Sequence, residues 1–409
     1  MKILITTDWY APAVNGVVTS VLNLKKEMEE RGHEVRVLTL AEDGKQRRDG
    51  SVYYLRSFGI GKIYPDARAS ISSRNSYLKE LIQWEPDIIH SQCEFTTFLC
   101  ALKISRNCRC PIVHTYHTVY EDYTHYFSPS VTVGRKVVSV WSRRLLSKVD
   151  AVVAPTEKVR SLLKTYGVEA PVSVVPTGID IRKYQAVPDE TRREQLKKQL
   201  GIPKENKVIV SVGRLAREKN ITEILQYIKH TGRSDVTYLI VGDGPCRAEL
   251  EQESARLGLQ GQVVFAGMVK PQEVGDYYRL GDVFVSASNS ETQGLTYIEA
   301  LANALPALCR KDECLAQVIE NGCNGYQYQN YEEFQTYLGR LLDDDEYRKE
   351  MAFCAAESAR RYSAENFGES MERIYRSIAG RPAAGLGGEL YRVAMCRALR
   401  GGGRCTKSI

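Results

Sequence analysis

Short apolar runs alternate with amphipathic stretches along most of the chain. Apolar runs of roughly four to eight residues bounded by polar turns read as buried strands, and apolar positions recurring every three and four residues mark a helix face. On this basis strands are predicted over 2–7, 34–40, 87–91, 111–117 and 150–154, then over 207–213, 236–242, 263–267, 282–287 and 306–310. Strands that are apolar throughout, with helices between them, imply parallel sheets covered on both faces. The expected fold class is therefore α/β, with two doubly wound, Rossmann-like domains over 1–180 and 207–362. Residues 181–206 are polar and carry Pro188 and Pro203, so they are expected to be a linker with a short helix. The helical pattern 364–378 is expected to return to the first domain. Residues 379–409 form a basic tail, either with an amphipathic helix over 389–400 or without structure. In such sheets ligands gather beyond the C-terminal strand ends, here in a cleft between the two domains.

Composition narrows the class. A chain of 409 residues supports two separate cores. No apolar run approaches the length of a membrane span. The opening M-K-I-L-I-T-T-D reads as a first strand rather than a signal peptide. Eleven cysteines are scattered without C-x-x-C pairs or zinc-type histidine spacing, as for free thiols in a reducing compartment. Charge is uneven: residues 1–175 hold 24 Lys and Arg against 18 Asp and Glu, whereas 205–360 hold 16 against 24. A basic first half faces something anionic. No nucleic-acid motif and no basic run interleaved with aromatics is present, which favours an anionic membrane surface over nucleic acid. One helix suits that role. Over 131–149, Val137, Val138, Trp141, Leu145 and Val149 share a face at 100° per residue, with Arg135, Lys136 and Arg143 opposite and Arg144 and Lys148 at the boundary. Such a helix either covers a core or lies on anionic lipid.

The candidate chemistry sits at strand ends. The segment S-N-S-E-T-Q-G-L-T-Y-I-E-A, 288–300, places Glu291 in a loop, Gly294 and Leu295 at a helix start, and Glu299 within the helix. A helix N-terminus favours an anion, and carboxylates on either side of it can hold hydroxyls. That is a layout for a nucleotide sugar, although an ordinary βα unit with solvated glutamates has the same spacing. Arg214 and Lys219, in V-G-R-L-A-R-E-K-N, are two cations near a strand end that suit a diphosphate, or are simply surface charges. Gly16, after the first strand, lets backbone approach a ligand. The absence of G-x-G-x-x-G after that strand excludes a dinucleotide-binding fingerprint. The segment 114–127, H-T-Y-H-T-V-Y-E-D-Y-T-H-Y-F, crowds polar and aromatic groups at a strand end, with His117 best placed to project towards a ligand. His114 and His117 would face opposite ways on a strand, and Asp343, Asp344 and Asp345 lie in a polar helix end, so no metal site is expected.

Taken together, the glycine after the first strand, G-R-L-A-R-E-K-N and E-T-Q-G-L-T-Y-I-E resemble the retaining glycosyltransferases of family four, which have the GT-B fold. The resemblance runs from Met1 to about Ile378. Within that family, H-S-Q-C-E-F at 90–95, N-G-V-V-T-S and H-T-Y-H-T-V-Y-E-D-Y are similar to bacterial diacylglycerol glucosyltransferases. The resemblance implies that Arg214 and Lys219 bind the diphosphate with backbone at Gly16, Gly294 and Leu295. It implies that Glu291 holds donor-sugar hydroxyls, Glu299 the ribose, Gly267, Met268 and Val269 the base, and His117 the donor sugar. No metal or other cofactor is implied. The implied activity is α-glucosyl transfer from UDP-glucose to diacylglycerol by front-face displacement, with domain closure excluding water, on the cytoplasmic face of the membrane. Tyr120, Glu121, Asp122, Arg135, Lys136, Trp141, Arg143 and Arg144 form the expected acceptor and membrane side. A polyprenyl or polysaccharide acceptor, a non-catalytic nucleotide-sugar-binding subunit and a sugar epimerase or phosphorylase are the other readings of the same residues. The sequence carries no signal for an oligomeric state.

Overall fold

The apolar runs become the strands of two sheets in the computed structural model of the chain, which describes residues 1–59, 68–70, 75–121, 130–184 and 189–380. Two compact units result: Met1–Val175 with Gly368–Ile409, and Pro176–Phe367.

The first unit contains β1 (Lys2–Thr6), β2 (Glu34–Leu40), β3 (Arg47–Asp49), β4 (Val52–Leu55), β5 (Phe58–Gly59), β6 (Arg68–Ala69), β7 (Ile88–Ser91), β8 (Ile112–Thr115), β9 (Ala151–Ala154) and β10 (Val172–Val174). Eight of these form one sheet in the order β10-β9-β8-β7-β1-β2-β4-β3, parallel except for the edge pair β3–β4. The strand order turns back at β1, between β7 and β2, which is where a doubly wound sheet places its ligand. The second unit contains β11 (Lys207–Val212), β12 (Val236–Val241), β13 (Val263–Gly267), β14 (Val283–Ser286), β15 (Ala307–Arg310) and β16 (Gly325–Tyr328), in the order β13-β12-β11-β14-β15-β16 and parallel throughout. Here the order reverses between β11 and β14. All ten expected strands are present. Those that the hydrophobic pattern missed are short or half-polar, such as the exposed R-R-D of β3 and the alternating G-Y-Q-Y of β16.

Residues 181–206, expected as a linker, belong to the second unit. Ile181, Leu196 and Ile202 are buried in its core beneath the helix Glu190–Gln199. The many charges of this stretch occupy the outer face of that helix, which disguised three inward apolar residues as a polar connector. The helix Ala364–Ile378 places its C-terminal half on the first unit. Tyr375 and His90 are hydrogen-bonded at 2.6 Å (Oη to Nδ1), and Glu372 lies 3.2 Å from His33 Nε2 and 3.4 Å from Arg31 Nη1. Gly368 makes this docking close: a Cβ there would lie 2.7 Å from Glu27 Cβ on the helix Gly16–Glu30. Gly368→Val should overpack that contact and cost about 1–3 kcal/mol, read as a lower urea midpoint for the first unit; an unchanged midpoint would show that the two helices can move apart freely.

Candidate nucleotide-sugar site

In the second unit the site is assembled from two loops. After β14 the chain runs through Ala287–Gln293 to Gly294, which caps the helix Leu295–Ala302 at φ +76°. The left-handed backbone, together with a Cβ position only 2.7 Å from Tyr297 Cδ2, requires glycine there. After β11 the chain passes Arg214 and makes a short 3-10 turn over Arg217–Lys219. The Asn289 N–H donates to the Glu218 carbonyl at 2.8 Å, and so does Ser288 Oγ at 3.4 Å. This clasp brings Lys219 Nζ to 2.5 Å from Glu291 Oε1. Burial pushes the Lys219 ammonium down, but the Glu291 carboxylate outweighs it and holds the pKa above its ordinary value. Arg214, Lys219, Glu291 and Thr296 line one recess, with Thr296 in the first turn of the helix. Two cations and a helix N-terminus therefore converge at the strand ends, a geometry suited to phosphate.

Glu299 lies further along the same helix. Tyr278 Oη donates to its Oε2 at 2.8 Å and Tyr184 also donates to the carboxylate. Burial raises its pKa to about 6, against the pull of these two donors. Gly267 ends β13, Met268 is exposed just beyond it, and Val269 packs on the core. Gln293 carries a role that the motif reading passed over. Its Oε1 accepts from Thr177 N and its Nε2 donates to Thr177 O, both at 2.8 Å, so a buried side chain pins the loop between Glu291 and Gly294. A glutamine in a polar loop gives no sequence signal for such a reciprocal bond.

In the first unit, Gly16 is exposed at the start of the helix Gly16–Glu30, whose N-cap Asn15 accepts from Val18 N at 3.0 Å. His117 lies just past β8 and its Nε2 is 2.6 Å from Gln92 Oε1. An amide oxygen can only accept, so Nε2 carries the proton and Nδ1 is the acceptor. Burial, with His114 nearby, lowers its pKa to about 3, so the imidazole is neutral. Tyr120 Oη donates to Glu94 Oε2 at 2.6 Å, and Glu121 is 3.7 Å from Arg135. Asp122, the rest of the polar segment to Phe127, and the tail segment 389–400 lie outside the described residues. The apolar face of the helix Val131–Leu146 takes one of its two expected roles. Val138 and Leu145, and Val149 beyond it, are buried in the first core and Trp141 packs at its edge, so this face covers the core. Val137 points outwards, and Lys136, Arg143 and Arg144 are exposed. Among the described residues no cluster of three or more His, Cys, Asp or Glu could hold a metal ion, and no helix is long and apolar enough to cross a membrane.

The model for Glycosyltransferase Family 4 matches residues 14–183 and that for glycosyl transferases group 1 matches 192–357. The chain is 34% identical to an alpha-monoglucosyldiacylglycerol synthase of Streptococcus pneumoniae, over 92% of this chain and 85% of the relative. It is 30% identical to an alpha-monoglucosyldiacylglycerol synthase of Acholeplasma laidlawii, over 92% and 97%. The chain belongs to glycosyltransferase family four. Its fold is GT-B: Anabaena HepE, solved with UDP and glucose, superposes with a TM-score of 0.72 at 20% identity, over 92% of this glycosyltransferase and 100% of HepE. Sucrose-phosphate synthase of Thermosynechococcus elongatus superposes at 0.73 and 19% identity, over 92% and 98%.

The loop geometry of this glycosyltransferase can be tested at Gln293. Gln293→Leu leaves the Thr177 N–H and C=O buried without partners, which costs about 1–3 kcal/mol for each group. The expected result is a lower melting temperature together with loss of amide-exchange protection at Thr177. Retained protection would mean that Gln293 does not hold the loop.

Proposed function

We propose that this glycosyltransferase moves glucose from UDP-glucose to the free hydroxyl of 1,2-diacylglycerol with retention, working as a peripheral protein on the cytoplasmic face of an anionic membrane. The near full-length similarity to two alpha-monoglucosyldiacylglycerol synthases carries this reading. The bond between glucose C1 and the β-phosphate oxygen breaks and a bond from C1 to the acceptor oxygen forms on the same face. The acceptor proton passes to the departing phosphate oxygen, giving α-glucosyl diacylglycerol and UDP.

Each charge in the second unit has a part in that step. Arg214 and Lys219, with the helix N-terminus at Gly294 and Leu295, stabilise the charge that grows on the diphosphate, which is electrostatic catalysis without a metal. For Lys219 to meet phosphate it exchanges its contact with Glu291, which then accepts hydroxyls of the glucose. Glu299 accepts the ribose hydroxyls, the Gly267–Val269 backbone meets the base, and neutral His117 accepts from a sugar hydroxyl through Nδ1. Gly16 gives backbone room to the donor. The exposed cations of Val131–Leu146 face the anionic leaflet, a contribution of about 1 kcal/mol per Lys or Arg near such a surface.

A donor-by-acceptor assay tests the reading: UDP-glucose or UDP-galactose with vesicles of diacylglycerol and anionic lipid, products identified by mass and anomeric configuration. α-Glucosyl diacylglycerol is the expected product. Turnover onto a polyprenyl or polysaccharide acceptor alone would move the reading to the other acceptor class, and UDP-glucose binding without any transfer would make the chain a binding subunit.

Glu299 gives donor binding a pH dependence. The carboxylate accepts ribose hydroxyls only when ionised, so affinity is full above its pKa of about 6 and declines as pH falls through it. UDP-glucose suits this measurement because its diphosphate diester takes up no proton in that range. Calorimetry should show UDP-glucose affinity falling about tenfold from pH 7.5 to 5, and a weaker, flat profile for Glu299→Gln. A flat profile for the unmodified enzyme would remove Glu299 from the ribose role.

A further inference from the structure

At the ends of β7 and β8 in the first unit, two buried ionisable groups face one another without completing their hydrogen bonds. Glu94 Oε2 accepts from Tyr120, but its Oε1 has no hydrogen-bond partner, nor has either ring nitrogen of His114. His114 Nε2 stands 3.4 Å from Glu94 Oε1, within ion-pair distance yet not aligned as a hydrogen bond. His114 is fully buried and Glu94 nearly so, and the edge of the His114 ring contact is taken by Phe98. A buried carboxylate oxygen left unpaired costs free energy that a ligand hydroxyl can recover.

Next along the chain the surface turns apolar. Phe95 follows Glu94 and is 54% exposed, and Leu99 one helical turn on is 65% exposed. Phe95 stacks on Trp141 at 5.9 Å and meets the edge of Tyr120 at 6.1 Å. Trp141 therefore joins the helix Thr96–Cys108 to the helix Val131–Leu146, where Val133 and Val137 are 58% and 56% exposed. Neither helix contains a carboxylate, and Lys103, Arg106, Lys136 and Arg143 are exposed along them. Large apolar side chains on a monomer's surface, ringed by one sign of charge, mark an interaction site. An unpaired hydroxyl acceptor at the edge of such a surface selects for an amphiphile.

We infer that this surface binds the acylglycerol acceptor: its chains lie on Phe95, Leu99, Val133 and Val137, and its free hydroxyl donates to Glu94 Oε1. The inference rests on the lipid-acceptor reading above and deepens it. Tyr120 holds the second carboxylate oxygen and so fixes the direction in which Oε1 points. Access needs side-chain rotation of exposed Phe95, a fast motion for a surface residue, while Tyr120 keeps its hold on Oε2. The acceptor hydroxyl keeps its proton while it donates to Glu94 and releases it only in the transfer step proposed above. Glu94 thus binds the acceptor without taking its proton.

Steady-state kinetics in mixed micelles of a neutral detergent test this, with dioleoylglycerol and dioctanoylglycerol as acceptors. Glu94→Leu should raise the acceptor KM about tenfold or more, as for a site that loses its partner to a substrate hydroxyl, while the donor KM stays unchanged. Glu94→Gln keeps an acceptor oxygen and should recover most of the loss with kcat retained; a collapse of kcat in Glu94→Gln would make Glu94 a base and overturn the binding role. The double variant Leu99→Ser/Val137→Ser changes only exposed positions, so it keeps the test open if Glu94→Leu does not fold. It should raise KM severalfold for dioleoylglycerol and less for dioctanoylglycerol; an equal effect on both, or none, overturns the chain-binding surface. Unmodified enzyme that ignores both diacylglycerols would refute the lipid-acceptor reading itself, whereas normal turnover with unaltered variants would refute this inference alone.

Discussion

The ion pair between Lys219 and Glu291 is the contact on which the second unit's site depends. Opposite charges at 2.5 Å draw together two loops that leave different strands, and the hydrogen bonds from Ser288 and Asn289 to the Glu218 carbonyl fix their approach. An ion pair of this kind adds little stability once desolvation is counted. Its consequence is local: it holds a cation and a carboxylate together near a helix N-terminus. Gln293 and Gly294 serve the same arrangement from the backbone side, one by pinning the loop to Thr177 and the other by turning it into the helix.

Burial tunes the remaining groups in opposite senses. It disfavours charge on both Glu299 and His117, raising the carboxyl to about 6 and lowering the imidazole to about 3. Near neutral pH the first is still an anion and the second is neutral, so both present acceptor atoms. Hydroxyl-rich ligands are recognised by such acceptors.

The helix Val131–Leu146 has a pattern that suits either a core or a lipid surface, and packing decides between them. Its apolar residues do share a face, but Val138 and Leu145 turn that face onto the first core. The apolar surface that remains exposed is composite. Val133 and Val137 come from the flank of this helix, and Phe95 and Leu99 come from another helix some forty residues earlier. Periodicity within one helix cannot reveal a surface made by two.

Sequence alone determined ten of the strands and the parallel α/β class, because short apolar runs bounded by turns and alternating with helices satisfy their buried backbone by pairing with one another. It also determined the candidate donor residues, since Arg214, Lys219, Glu291, Gly294 and Glu299 lie in two continuous segments whose order along strand, loop and helix places them. Tertiary structure decided what depends on contacts between distant segments. The Ile181, Leu196 and Ile202 side chains that make the expected linker part of a core are one case. The reciprocal bond of Gln293 to Thr177, 116 residues away, is another. The unpaired oxygen of Glu94 beside a two-helix apolar surface is the third. The physical reason is common to all three: a side chain's partner is chosen by proximity in space, and hydrophobic periodicity reports only which way a residue points within its own element.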